Sequence, residues 1–314
     1  MELHDLIALR NQLEPLTAKT AKVFADRELS KILYWVEKSQ SYCTNASAVT
    51  EKLKNLTTEF NSVDDELDLL KLQLDSAIRV SEKQLYLDTY KYYVLSENRE
   101  TPQEIEDNKR LKISDDDRNL FLSRINLYAK WQYPGLIIRP GIENFIDLLV
   151  SYQPLYIADH NQELLTMATK KFNDIFQQRL RQYVIRDFTN TPALDALPDQ
   201  QFGLCFVYGY FNFRPIEFIT DYLEQLYTKL KAGGVLIFTF NDCDWPEAVK
   251  LAQHHGSTYV PGRTLKNAVR SIGYQIEFEH TTQGASTWLE LKKPGTLTSL
   301  KAAPTLAKIV ELPK

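Results

Sequence analysis

Polar side chains stand at the ends of several short apolar runs, and these residues have chemistry to offer. Leu155-Tyr156-Ile157-Ala158 ends on Asp159 and His160. In a nucleotide-type α/β sheet, an acid closing a strand lies where ribose hydroxyls are held. Asp159 is read in that way, with an ordinary surface acid as the plain alternative, and His160 beside it could act as a base. Val207-Tyr208-Gly209-Tyr210-Phe211-Asn212-Phe213 follows another apolar run. There Tyr208, Tyr210 and Asn212 either line a ligand pocket or, for the aromatics, simply pack. Asn241, Asp242 and Asp244 follow Val235–Phe240, where they could position a substrate or cap the helix that starts at Pro246.

Such residues work only if strands deliver them to one edge, and the pattern supplies the strands. Strand-like runs fall at Leu136–Ile138, Leu155–Ala158, Tyr183–Ile185, Leu204–Tyr208, Val235–Phe240, Gln275–Glu279 and Thr287–Leu291. Helical stretches or short connections, at 142–151, 161–180, 192–197 and 215–230, separate the first five. Two further helices, 246–253 and 264–271, precede a closing antiparallel hairpin. The expectation is an α/β fold with a doubly wound, seven-stranded sheet.

The first part of the chain, to about Tyr128, is helical in character: it contains no glycine, and its only prolines are Pro15 and Pro102. Ala46, Val49, Leu53, Leu56, Phe60, Val63, Leu67, Leu70, Leu74 and Ala77 recur in steps of three and four, a coiled-coil period. The seam could join copies of the chain, dock a partner helix, or be covered by residues 3–40 folding back as a hairpin. Ser114 before Asp115-Asp116-Asp117 is a helix start. The domains are read as a helical arm over 1–113, an α/β domain over 114–293 and a tail over 294–314.

Composition sets bounds. The 314 residues are 44% hydrophobic and 25% charged, ordinary values for a soluble globular protein. A formal charge of −4 disfavours nucleic acid as a high-affinity partner. No run approaches the roughly 18 apolar residues that span a bilayer. Met1-Glu2-Leu3-His4-Asp5 has no apolar signal core, so a cytoplasmic location is expected. The three cysteines, Cys43, Cys205 and Cys243, are scattered, and no metal site is expected from them. Phosphate-binding, hydrolase-elbow and dinucleotide glycine motifs are absent.

Leu230-Lys231-Ala232-Gly233-Gly234-Val235-Leu236-Ile237-Phe238 and Ile272-Gly273-Tyr274 carry a resemblance. Over roughly residues 130–293 the chain resembles class I S-adenosylmethionine-dependent methyltransferases, whose fifth and sixth strands are entered by such elements. That resemblance implies S-adenosylmethionine as cofactor. It sets Gly141 and its turn against the methionine part, Asp159 against the ribose and Asp187 near the adenine, and it places Tyr208 at the adenine pocket or the acceptor. Tyr210, Asn212, Asn241 and Asp242 would face the acceptor. The family's glycine-rich turn is here Arg139-Pro140-Gly141-Ile142-Glu143, with Ile137 at the place of an acid. Only the middle glycine remains. Arg139 either pairs with the cofactor's carboxylate or reshapes the pocket, leaving a methyltransferase-like scaffold without catalysis. Arg139–Phe145 and Phe240–Asp244 are also similar to methyltransferase-like proteins of tailed phages. That likeness implies a role in the host cytoplasm or the virion.

Overall fold

Five parallel strands, β1 (Gly135–Ile138), β2 (Leu155–Asp159), β3 (Leu180–Val184), β4 (Phe202–Val207) and β5 (Leu230–Asn241), form the centre and one edge of a mixed sheet. Strands β6 (Gln275–Thr281) and β7 (Ser286–Lys292) complete it in the order β3-β2-β1-β4-β5-β7-β6. Strand β7 runs antiparallel to both of its neighbours. Among the described residues, the α-helices are α1 (Leu3–Leu13), α2 (Val63–Ser96), α3 (Asp115–Tyr128), α4 (Gln162–Thr169), α5 (Asp174–Gln177), α6 (Ile216–Lys229), α7 (Pro246–Gln253) and α8 (Gly262–Ile272). This computed structural model describes residues 3–14, 63–96, 113–128, 133–140, 149, 151–170, 172–185, 194–254, 257–282 and 286–297.

The chain makes two compact units. One joins residues 1–92 to 243–259; the other joins 93–242 to 260–314. In the second unit, β1, β2 and β4 are buried along their whole length, as strands covered on both faces must be. Leu136, Ile138, Cys205, Val207, Leu236 and Phe238 feed one core, which α6 and α8 cover with Leu223, Leu226, Leu265 and Val269. Ile137, Ile157, Leu204, Phe206, Ile237 and Trp288 feed the other, under Phe121 and Ile125 of α3. The chain runs outward from β1 to β2 and β3, then crosses back to β4 on the other side of β1. The carboxyl ends of β1 and β4 therefore border the crevice where such sheets bind ligands.

The Gly-Gly element behaves as its residues require. Gly233 takes φ 78°, its N–H donates to Lys293 O at 2.9 Å, and the chain continues into the buried part of β5. Ser114 caps α3: its hydroxyl accepts from Asp117 N at 3.1 Å and donates to Asp117 Oδ2 at 2.8 Å. Farther along α3, Arg124 reaches Glu290 of β7 at 2.6 and 2.9 Å. Tyr128 and Trp288 also donate to that fully buried carboxylate.

Two expectations about local structure change. The stretch 161–180 is broken into α4 and α5, because Asn173 caps a new helix by accepting from Phe176 N at 2.9 Å. Strand β3 starts at Leu180 instead of Tyr183; as an edge strand it carries exposed Arg181 and Gln182, which hide it from an apolar count. The expected helix at 142–151 falls largely outside the described residues.

In the first unit, α1 buries Leu3, Leu6, Ile7 and Leu13 and packs on α7. His4 Nδ1 meets Gln253 Oε1 at 2.9 Å, and Asn11 Nδ2 donates to Asp244 O at 2.9 Å. Helix α2 buries Leu70, Leu74 and Ile78, while Tyr259 donates to its Glu82 at 2.6 Å. The heptad positions from Ala46 to Phe60 lie outside the described residues. Within α2 the buried stripe moves to Ile78 where the heptad has Ala77, so it advances in steps of four. Among the described residues, no helix is long and apolar enough to cross a membrane.

Candidate functional site at the carboxyl ends of β1, β2 and β4

Arg139 is the first residue after β1, and its backbone is left-handed, with φ 53°. A side chain in that region costs roughly 1–2 kcal/mol relative to glycine. The turn thus keeps a conformation suited to glycine while carrying arginine. The Arg139 N–H donates to Ala158 O at 2.8 Å, extending the β1–β2 pairing by one rung. That pairing sets Ile138 against Ala158, so the side chains of residues 139 and 159 leave the sheet together.

They meet. Arg139 Nε lies 3.5 Å from Asp159 Oδ1, and its guanidinium also contacts the imidazole of His160. His160 Nδ1 is 3.1 Å from the same carboxylate oxygen, which accepts from Asn161 N at 3.0 Å as well. Asn161 in turn caps α4 by accepting from Glu163 N and Leu164 N. Asp159 has no exposed surface and Arg139 is 3% exposed. On the β4 side, the Arg139 guanidinium sits 4.7 Å from the Tyr210 ring, and Arg214 sits 4.6 Å from that same ring. Arg214, placed beside Pro215 at the start of α6, was not anticipated from sequence. Its proximity to Tyr210 arises from a single 3-10 turn over Phe211–Phe213, which no periodicity announces.

The remaining candidates separate. Tyr208 stacks near Phe206, with centroids 6.3 Å apart, and lies beside Trp288 in the core under α3. Burial pushes its phenol well above the usual range, so it remains protonated. Asn212 is built into a buried network. Its amide donates to Ser286 Oγ at 3.0 Å, and its carbonyl accepts from Thr239, whose hydroxyl accepts from Gly209 N. Asn241 ends β5 opposite Ser286. Asp242 is fully buried against the first turn of α8, with Lys266 Nζ 3.4 Å away. A Cβ on Gly262 would collide with its carboxylate, so glycine there lets the acid reach the helix start. Gly141 and Asp187 lie outside the described residues. Among the described residues, no group of three metal-binding side chains is found.

For a nucleoside cofactor, this edge offers an acid of the right kind at the right strand end, and a left-handed turn after β1. Residue kinds and positions therefore fit the group. In this arrangement, however, the guanidinium of Arg139 stands on the acid that would take the ribose.

No family profile matches the chain, and no curated protein matches it in sequence. Solved structures with a likeness include a possible exported protein from Bordetella parapertussis, with 11% identity, TM-score 0.46, and coverage of 64% of this chain and 72% of that one. Another is the N-methyltransferase NodS from Bradyrhizobium japonicum WM9 in complex with S-adenosyl-L-homocysteine, with 13% identity, TM-score 0.44, and coverage of 67% and 98%. A third is a putative S-adenosylmethionine-dependent methyltransferase from Listeria monocytogenes, with 10% identity, TM-score 0.45, and coverage of 55% and 95%. At such scores these likenesses bear on neither substrate nor activity. The strand pairing gives the second unit as a seven-stranded, doubly wound α/β fold.

Proposed function

We propose that the α/β unit is an S-adenosylmethionine-dependent methyltransferase that receives its cofactor at the carboxyl ends of β1 and β2. One observation carries the reading: Asp159 closes β2 beside the β1–β4 crevice, where a carboxylate can accept both ribose hydroxyls. When bound, the cofactor supplies an activated methyl group. This chain's residues then orient and exclude water, which suffices for an acceptor that has no acidic proton to lose. In this reading Tyr210, Asn212 and Asn241, all buried, shape the acceptor side from behind its surface. His160, with Nδ1 3.1 Å from Asp159, is the candidate base of this reading.

The contact between Arg139 and Asp159 favours a second reading, a methyltransferase-type scaffold without catalysis. Calorimetric titration with S-adenosylmethionine and S-adenosylhomocysteine separates the two. The first reading expects saturable binding that weakens at least about tenfold in Asp159→Ala, a loss on the order of 1.4 kcal/mol. Absence of binding to wild type and to every Arg139 variant at millimolar ligand would leave the scaffold reading.

The sequence heptads from Ala46 to Ala77 are the ground for a further proposal, that the helical part joins copies of the chain through positions other than Leu70 and Leu74, which are already buried within it. Sedimentation of the full chain tests it: a concentration-independent monomer would overturn it. In this proposal the assembly belongs to an infected cell or a virion, which only the resemblance of Arg139–Phe145 and Phe240–Asp244 to tailed-phage proteins supports.

A further inference from the structure

We propose that Arg139 is a built-in occupant of the ribose place, and that a nucleoside with free 2′ and 3′ hydroxyls enters only by displacing its guanidinium from Asp159. This role rests on Asp159 being the acid that takes the ribose.

Four observations converge on Arg139. The guanidinium lies against one oxygen of the carboxylate that would take the ribose, with Nε 3.5 Å from Asp159 Oδ1. Both partners are withdrawn from solvent, so water does not compete with the pair and the attraction is little screened. The backbone at 139 is held left-handed, where glycine would rest without strain, so the arginine is kept against a local preference. Finally, Arg214 faces the same Tyr210 ring. Two cations on one ring repel each other, and the negative charge of Asp159 offsets that repulsion on the Arg139 side.

The closed state is thus stable but opposed. A neutral diol must replace a charged partner, and bound ligand leaves the guanidinium to be satisfied elsewhere. Removing the guanidinium should therefore tighten nucleoside binding while loosening the fold, because Asp159 then stays buried without its cation. A residue that merely stabilises the protein would lower both together. A residue that holds the ligand would lower affinity.

The test uses the full chain and two probes, adenosine and S-adenosylhomocysteine, in equilibrium titrations of wild type, Arg139→Gly and Arg139→Gln. Glycine suits the left-handed turn, and glutamine keeps a neutral hydrogen-bond donor near Asp159 should the glycine variant fail to fold. The expected result is adenosine affinity raised at least about tenfold in both variants, with melting temperature lowered, and loss of the gain when Asp159→Ala is added. Unchanged or weaker adenosine binding in folded variants would overturn the proposal. Were wild type to bind and the variants not improve, the displacement idea would fall while the cofactor reading stood. Were no folded protein to bind either probe, both would fall. A loss confined to S-adenosylhomocysteine would also overturn it, since that pattern assigns Arg139 to the ligand's carboxylate.

Discussion

Asp117 shows how one side chain can tie a helix start to a sheet. Burial alone would raise its carboxyl, but hydrogen bonds from His280 at 2.6 Å and from Ser114 outweigh that and hold it below the usual 3.8. Its folded value is thus lower than its unfolded one. The stabilisation is therefore present above the unfolded value and is lost as pH falls through the folded one. Asp117→Asn should flatten the acid limb of stability against pH, measured by urea unfolding at stepped pH. Ser114→Ala removes the cap and should cost about 1 kcal/mol in the same measurement. The role of Ser114 was legible because capping is local. Asp159 was legible too, since a strand end shows in the sequence. The pairing of Arg139 with Asp159 was not: it depends on β1 and β2 aligning Ile138 with Ala158, a register that the residues between them do not encode locally.

Elements lock together through groups that a sequence places far apart. Helix α3 presses Phe121 onto Trp288, with rings nearly parallel at 4.1 Å, and Arg124 onto the buried Glu290. Glu290 has no exposed surface, so removing its cation leaves a carboxylate without charge compensation. Arg124→Ala should destabilise the protein by about 3 kcal/mol, with the shift read from the urea midpoint. Gly262→Ala tests a second junction. A methyl group there collides with the Asp242 carboxylate, and a loss of about 1–3 kcal/mol is expected in the same assay. The buried strands announced themselves as continuous apolar runs. Strand β3 did not, because edge residues such as Arg181 face water. Asn173 hid a helix break inside an otherwise helical pattern, since one capping side chain outweighs the propensity around it.

At the scale of the whole molecule, the chain makes a return between its two units. Residues 243–259 leave the sheet unit's sequence and complete the first unit, where α7 supplies the surface on which α1 packs. Nothing in Pro246–Gln253 signals this, because a short amphipathic helix after a strand looks the same whichever face it meets. A fragment spanning residues 93–314 would keep α7 while losing α1. Its Ala248, Val249 and Ala252 would be left without that cover. Such a fragment should bind a hydrophobic dye more strongly than the full chain and should aggregate at lower concentration.

That return also fixes an order of events during synthesis. Helix α1 leaves the ribosome before α7, which is translated about 240 residues later. At roughly 5–20 residues per second the wait is on the order of tens of seconds. Throughout it, Leu3, Leu6 and Ile7 have no α7 to rest on, and a nascent chain cut short before Pro246 never acquires one. Incomplete products therefore carry an uncovered, sticky α1, a mark by which chaperones and proteases can tell them from finished molecules.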